Sequence, residues 1–284
     1  MKILKALREF RRIGLFEDVE LPYLIDETES CIVIKYIAGT NLLDYMMTRR
    51  RLKEKEVISI SLDIIAVLRK LHESPRPIVF RDLKPSNIII KKDGHAALID
   101  FGAARFYKKN TDAEDTVNLG TCGYAAPEQY GCLGQTDEQT DIYCLGMTML
   151  QLLSGANLKD CECVSTIRSL GIKNVSNELL NVIEGCIKAD RNSRYKSFIE
   201  VEEQIRSIFK RKFVRRSACA ASAVLLAVVI SLTVSNLIVY AMPIRDAAVS
   251  GFEKRMPSMQ QRLMVARQRI EQYAEKLGVE PKFD

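Results

Sequence analysis

The stretch Phe80-Arg81-Asp82-Leu83-Lys84-Pro85-Ser86-Asn87, followed by Ile88-Ile89-Ile90, by Ala96-Ala97-Leu98-Ile99 and then by Asp100-Phe101-Gly102, decides how this chain is read. The two apolar runs are short and are separated by Lys91-Lys92-Asp93-Gly94. An Asp-Gly pair between such runs predicts a β-hairpin. Asp82 and Asn87 then stand before the hairpin, and Asp100 directly follows its second strand. Two carboxylates and an amide at strand ends can converge on a divalent cation or a phosphate. Their oxygens suit magnesium, which takes few protein ligands and lets substrate phosphates complete its shell. Each of the three, taken singly, also suits a plain turn, where Asp and Asn are common.

Outward from this stretch the pattern is mostly helical. Residues 30–37 read as a short strand that Gly39 ends. From Leu52 to His72 the residues Val57, Ile60, Ile64, Ile65, Leu68 and Leu71 recur at helical spacing, and Pro75 and Pro77 close the helix. From about Thr140 helices return, with Ile142, Leu145, Met149 and Leu152 on one stripe, and continue to about Lys210.

The 284 residues are 47% hydrophobic, 27% charged and 7% aromatic, which is ordinary globular chemistry and argues against a mainly disordered chain. A net charge of +6 from 42 basic and 36 acidic residues is too mild to argue for a nucleic-acid partner. The basic group Lys210, Arg211, Lys212, Arg215 and Arg216 precedes an uncharged run from Ser217 to Met242. At about 1.5 Å per residue such a run crosses a hydrocarbon core of about 30 Å, so the sequence predicts one transmembrane helix. A buried core helix is the other reading. The basic flank places the preceding residues in the cytoplasm and the tail outside, a single-pass cell-membrane protein. The cysteines then fall mostly on the reduced side, and neither they nor the isolated His72 and His95 make a zinc pattern.

Phe80–Asn87 resembles the catalytic loop of eukaryotic-type protein kinases, His-Arg-Asp-x-x-x-x-Asn, and Asp100-Phe101-Gly102 resembles their metal-binding triplet. Gly120-Thr121 followed by Gly123-Tyr124-Ala125-Ala126-Pro127-Glu128 looks like the end of their activation segment. Thr140-Asp141-Ile142-Tyr143-Cys144-Leu145-Gly146 is similar to the start of their large buried helix, and Arg194 matches the late arginine that pairs with the Ala-Pro-Glu glutamate. Order and spacing match bacterial serine/threonine members of the family. The resemblance implies an α+β, protein-kinase-like fold, mostly the helical C-terminal lobe behind a remnant of the N-terminal sheet, to which the transmembrane helix is added. The domains expected are a lobe remnant and hinge over 1–37, a C-lobe over 38–208, a basic juxtamembrane segment over 209–216, the span over 217–242 and an exported tail over 243–284.

By position, the resemblance makes Asp82 the group that orients the substrate hydroxyl and accepts its proton, and Lys84 the cation that neutralises the transferred phosphoryl group. It makes Asn87 and Asp100 the magnesium ligands and Lys35, Tyr36 and Ile37 the hinge beside ATP, with Ile34 guarding the adenine pocket. Phe80, Arg81, Phe101, Gly102, Glu128, Asp141 and Arg194 become scaffold. Lys84, Gly120 and Thr121 favour serine or threonine in a protein substrate as acceptor. Thr111 and Thr116 are the candidates for regulatory phosphorylation, with Arg81 as the phosphate's partner, and Thr121 is expected to stay unmodified.

Two departures matter. No Gly-x-Gly-x-x-Gly loop and no strand lysine precede Ile32, and Ile3-Leu4-Lys5-Ala6-Leu7 resembles the middle of the helix that carries the lysine's glutamate partner, so an N-terminal truncation is expected. Phe80 stands where the family has histidine, which keeps apolar filling and loses a polar tie worth about 1 kcal/mol. Two functions follow: a membrane-anchored serine/threonine kinase in bacterial signalling, or an impaired pseudokinase that acts as a membrane docking or scaffold module. In the tail, Met256, Met259, Leu263, Ala266, Ile270, Tyr273 and Leu277 fall at alternating three- and four-residue intervals, the pattern of a short coiled coil that would make a homodimer; an amphipathic surface helix is the alternative.

Overall fold

Ile3, Ala6, Leu7 and Phe10 recur every three or four residues and form the buried stripe of helix α1 (Lys2–Arg12). The computed structural model describes residues 1–107, 120–130, 135–156, 158 and 171–277, and within the last helix it describes side chains outside 209–224, 239–241 and 244. After α1 the chain forms a two-stranded antiparallel ladder, β1 (Leu24–Glu27) with β2 (Ile32–Ile34), in the register Leu24↔Ile34 and Glu27↔Ile32. The strand expected over 30–37 is therefore only three residues long. Thr28 N donates to Cys31 O at 2.8 Å and closes the turn before it, and Lys35 N donates to Tyr23 O at 2.9 Å just beyond its end. Ile32, Val33 and Ile34 lie on the surface, so Ile34 faces solvent at 44% exposure.

After β2, β3 (Thr40–Asn41) leads into α2 (Leu42–Arg49), which Asn41 caps by accepting Leu43 N at 2.9 Å. Helix α3 (Glu54–Glu73) buries the spaced residues Val57, Ile60, Ile64, Ile65, Leu68 and Leu71 that predict it. It begins two residues later than the periodicity suggests, because the Glu56 carboxylate turns back to accept Lys53 N at 3.0 Å and fixes the start there. Strand β4 (Ile78–Val79) precedes the loop of interest. The hairpin is present as β5 (Ile88–Ile90) and β6 (Ala96–Leu98), in the register Ile88↔Leu98 and Ile90↔Ala96. Gly94 sits in its turn at φ +86°, a conformation open to glycine at little steric cost. β3 adds to the free edge of β5, and β7 (Arg105–Phe106) pairs with β4.

Helix α4 (Glu138–Ser154) starts at the Asp137 cap and is buried on nearly every face from Thr140 to Leu153. It packs on α5 (Asn177–Cys186), and a Cβ at Gly146 would lie 2.6 Å from the Cys186 Cβ, so only glycine permits this approach. Helix α6 (Phe198–Leu277) begins with Phe198, Val201, Ile205 and Ile208 in the same core as Leu68, Leu71 and Leu145. The chain divides into two units, Met1–Lys212 and Phe213–Asp284.

The expected transmembrane helix over 217–242 is not borne out: among the described residues no helix is long and apolar enough to cross a membrane. In sequence the uncharged run ends at Met242. Beyond it come the exposed charges of Arg245 and Asp246, bonded at 3.4 Å. The single-pass placement, with the tail outside, falls with the span. The tail stripe does lie on a helix, with Met256, Met259, Leu263, Ile270 and Tyr273 exposed on α6. That helix does not start near Met256; it runs through Pro243 and Pro257.

One ion pair ties distant parts of the first unit together. Arg194 Nη1 donates to Glu128 Oε1 at 2.8 Å, Nη2 reaches Oε2 at 3.3 Å, and Thr140 Oγ1 donates to the same carboxylate at 2.9 Å. Both charges are buried. Burial alone would raise the Glu128 pKa, yet the Arg194 hydrogen bond and charge outweigh it and hold the carboxyl below its ordinary range. A depressed folded pKa gives stability that is present above the unfolded value and lost as pH falls through the folded one. Urea unfolding from pH 7 to pH 3 should therefore show an acid loss that is smaller in Glu128→Gln. Arg194→Ala, which strands a buried carboxylate, should cost about 3–5 kcal/mol at neutral pH.

Candidate active site

The loop Phe80–Asn87 is held by its backbone before any side chain acts. Asp141, fully buried near the start of α4, accepts Phe80 N at 2.8 Å and Arg81 N at 2.7 Å. His72 Nε2 lies 2.9 Å from the same carboxylate. Gln129 Nε2 donates to Arg81 O at 2.8 Å and Asn41 Nδ2 to Ser86 O at 2.7 Å, and Thr148 Oγ1 shares its proton between Cys144 O at 2.8 Å and Leu83 O at 3.1 Å. So fixed, Arg81 adopts φ +72°, which few non-glycine residues do, and this reverses the chain ahead of Asp82.

Asp82 is the centre of a closed polar network. Its Oδ1 accepts Thr121 Oγ1 at 2.7 Å, and its Oδ2 accepts Lys84 Nζ at 2.8 Å and Asn87 Nδ2 at 3.0 Å. Lys84 Nζ also donates to Thr121 Oγ1 at 2.7 Å, so Asp82, Lys84 and Thr121 form a triangle. The Lys84 and Asp82 side chains keep 21% and 17% of their exposure, enough for an incoming group to reach them.

The hairpin brings Asp100 to the same place. Ile99 N donates to Asn87 O at 2.9 Å, extending the β5–β6 ladder by one pair, and Asp100 follows at φ +63°. Its Oδ1 accepts Gly102 N at 3.0 Å, while the side chain is exposed. Asn87 directs its amide nitrogen at Asp82, so the amide oxygen, the atom through which an asparagine can ligate a cation, is not spent on that contact. One amide oxygen and one carboxylate at the end of a rigid hairpin suit a hard divalent cation whose remaining ligands come from phosphate and water. Among the described residues no group of three or more His, Cys, Asp or Glu gathers to hold a metal without such help.

Two pairs among the expected scaffold residues are in contact. Phe80 is fully buried and meets Phe101 edge-on, ring centroids 5.1 Å apart at 84°. An aromatic contact thus occupies the place of the lost polar tie, and the Phe80 backbone N–H already has its acceptor in Asp141. Glu128 and Arg194 pair as described above. The hinge residues separate: Ile37 is buried, Tyr36 is 78% exposed and Lys35 is exposed. Thr111 and Thr116 lie outside the described residues.

Sequence reading missed four contributors. Asn41, Gln129 and Thr148 reach the loop's carbonyls and His72 bonds Asp141, while Thr121, read from sequence as lying next to the acceptor site, bonds Asp82 itself. Only His72 carried a hint, as a polar residue at the end of an otherwise apolar helical stripe. Burial pushes the Tyr124 phenol up to about 12 against the opposing hydrogen bond to Gln151, so it remains a donor to that amide oxygen. Burial also raises the Cys144 and Cys186 thiols, which leaves both as neutral core residues.

Such a cleft, with a carboxylate, a lysine and a hydroxyl in one network beside an amide–carboxylate pair, on a helical lobe with small two-stranded pieces, defines a protein-kinase-like protein. The protein kinase domain family matches residues 2–214, and the chain belongs to that family. It is 34% identical over 141 residues to the probable LRR receptor-like serine/threonine-protein kinase RPK1 of Arabidopsis thaliana, covering 49% of this chain and 26% of that one. It is 29% identical over 189 residues to serine/threonine-protein kinase PrkC of Bacillus subtilis, covering 63% and 29%. It is 34% identical over 149 residues to the human cAMP-dependent protein kinase catalytic subunit PRKX, covering 50% and 40%. The chain therefore spans less than half the length of each of these relatives.

If the Phe80–Phe101 contact holds the two motifs together, Phe80→Leu should lower stability by about 1 kcal/mol and Phe80→Ala by about 3–5 kcal/mol, read by urea denaturation.

Proposed function

We propose that this chain is a serine/threonine protein kinase that transfers the γ-phosphoryl group of ATP to protein hydroxyls. The observation that carries the reading is the Asp82–Lys84–Thr121 triangle beside Asn87 and Asp100. Asp82 accepts a hydrogen bond from a hydroxyl placed where Thr121 now bonds and takes its proton as the oxygen attacks the γ-phosphorus, whose bond to the bridging oxygen breaks and releases ADP. Lys84, freed in part by that exchange, offers its ammonium to the phosphoryl oxygens. Asn87 and Asp100 would hold magnesium, which supplies charge neutralisation on the phosphates. Thr121 keeps Asp82 and Lys84 in register between encounters.

A second reading, a non-catalytic docking module, is favoured by one observation: Ile25, Ile32, Val33 and Ile34 of β1 and β2 are exposed. A docking module that does not turn over should bind Mg·ATP more weakly than low micromolar, as read by titration calorimetry.

Transfer of radiolabelled phosphate to casein serves as the test of turnover. Asp82→Asn and Asp100→Asn should each lower it by about a hundredfold or more, and Thr121→Ala by about tenfold with Thr121→Ser retaining most of it. Wild-type chain that transfers nothing, or Asp82→Asn that transfers as well as wild type, overturns the kinase reading.

A further inference from the structure

Two cavities share a wall at the mouth of the site. The smaller, about 250 Å³, is lined by Lys84, Thr121, Tyr124, Leu43 and Gln151. The larger, about 800 Å³, continues past the same Leu43 and Gln151 to Arg49, Arg50 and Arg51. No carboxylate is among the described residues lining either one. Arg49 is partly committed, to Glu56 at 2.7 Å and over the Tyr45 ring at 4.6 Å. Arg50 and Arg51 are exposed and have no carboxylate partner among the described residues.

The arginine loop is built rather than loose. Arg50 sits at φ +61°, held by Arg50 N to Met46 O at 2.7 Å and Arg51 N to Arg49 O at 2.7 Å. Leu52 N then donates to Leu152 O at 2.8 Å, which fastens the loop to α4. Gly155, at φ +70°, lies so close that a Cβ there would stand 2.3 Å from Arg50 O. The carbonyl end of α4 offsets some of the repulsion among three adjacent guanidinium groups. The result is a fixed, concave, cationic surface that runs into the cavity where the acceptor hydroxyl would sit.

We infer that this groove selects an acidic protein segment, with Arg50 and Arg51 binding carboxylates or phosphates of the substrate chain flanking the acceptor residue. The inference rests on the kinase reading for the word substrate, yet the recognition it describes is a binding event and can be measured without turnover. Arg50 and Arg51 act on the substrate as specificity determinants; neither touches the transferred group.

The test is fluorescence anisotropy of a labelled serine peptide flanked by glutamates, against the same peptide flanked by lysines, with the full chain. The acidic peptide should bind at least tenfold tighter, and raising salt from 50 to 300 mM should weaken it. Arg50→Glu/Arg51→Glu should abolish the preference, Arg50→Lys/Arg51→Lys should keep most of it, and Arg11→Glu/Arg12→Glu, on α1, should leave it within twofold. Equal binding of both peptides overturns the inference. So does a preference that survives charge reversal at 50 and 51, or one that moves with the α1 variant. A chain that binds the acidic peptide in this pattern and shows no transfer to casein would sink the kinase reading alone.

Discussion

The structure depends on one buried carboxylate. Asp141 has no access to solvent, and a lone charge in that position would be strongly disfavoured. It is tolerated because two successive backbone N–H groups and a histidine converge on it. The dependence is mutual: those N–H groups belong to a turn whose backbone is in an uncommon conformation and could not pair within a helix or ladder. The first turn of α4 and the loop that carries Asp82 are therefore each incomplete without the other, and α4 in turn is set by its contacts with α3 and α5. A misplaced helix would be felt first at Asp82.

Much of this was legible in the sequence, for reasons that can be named. The α3 stripe, the Asp-Gly hairpin and the Ala-Pro-Glu glutamate with its late arginine are local or pairwise signals, and each appears where read. Less visible was how backbone groups are satisfied by distant side chains. Nothing in the residue types around Gln129 or Thr148 says that they bond carbonyls 48 and 65 residues away. The transmembrane expectation failed for another reason. A window of uncharged residues measures composition only, and among the described residues no helix is long and apolar enough to cross a membrane.

The stripe on α6 shows the same gap between pattern and outcome. Its spacing is that of a coiled coil, but Arg262, Arg267, Arg269 and Lys276 occupy flanking positions. In a parallel pair with Met256 at an a position, Arg262 of one helix would face Arg267 of the other, a like-charge contact at the site where such pairs usually gain complementarity. Arg267 instead bonds Glu271 within its own helix at 3.5 Å. Apolar period alone leaves self-association without electrostatic support in this register.

Phe80 illustrates how a departure from a family pattern is to be weighed. A polar residue there would add a hydrogen bond, and its loss reads from sequence as a weakened site. In the fold, the ring edge against Phe101 joins the catalytic-loop and Asp-Phe-Gly segments through dispersion and quadrupole attraction, of a size comparable to the missing bond. The loop's backbone is already held at several points by Asp141, Gln129, Thr148 and Asn41, so positioning does not fall to residue 80 alone. What changes is the character of the link: an apolar contact is insensitive to protonation and less directional. Asp100 is therefore positioned chiefly by the hairpin ladder through Ile99, and Phe101 serves to pack that end of the hairpin against the loop rather than to aim its carboxylate.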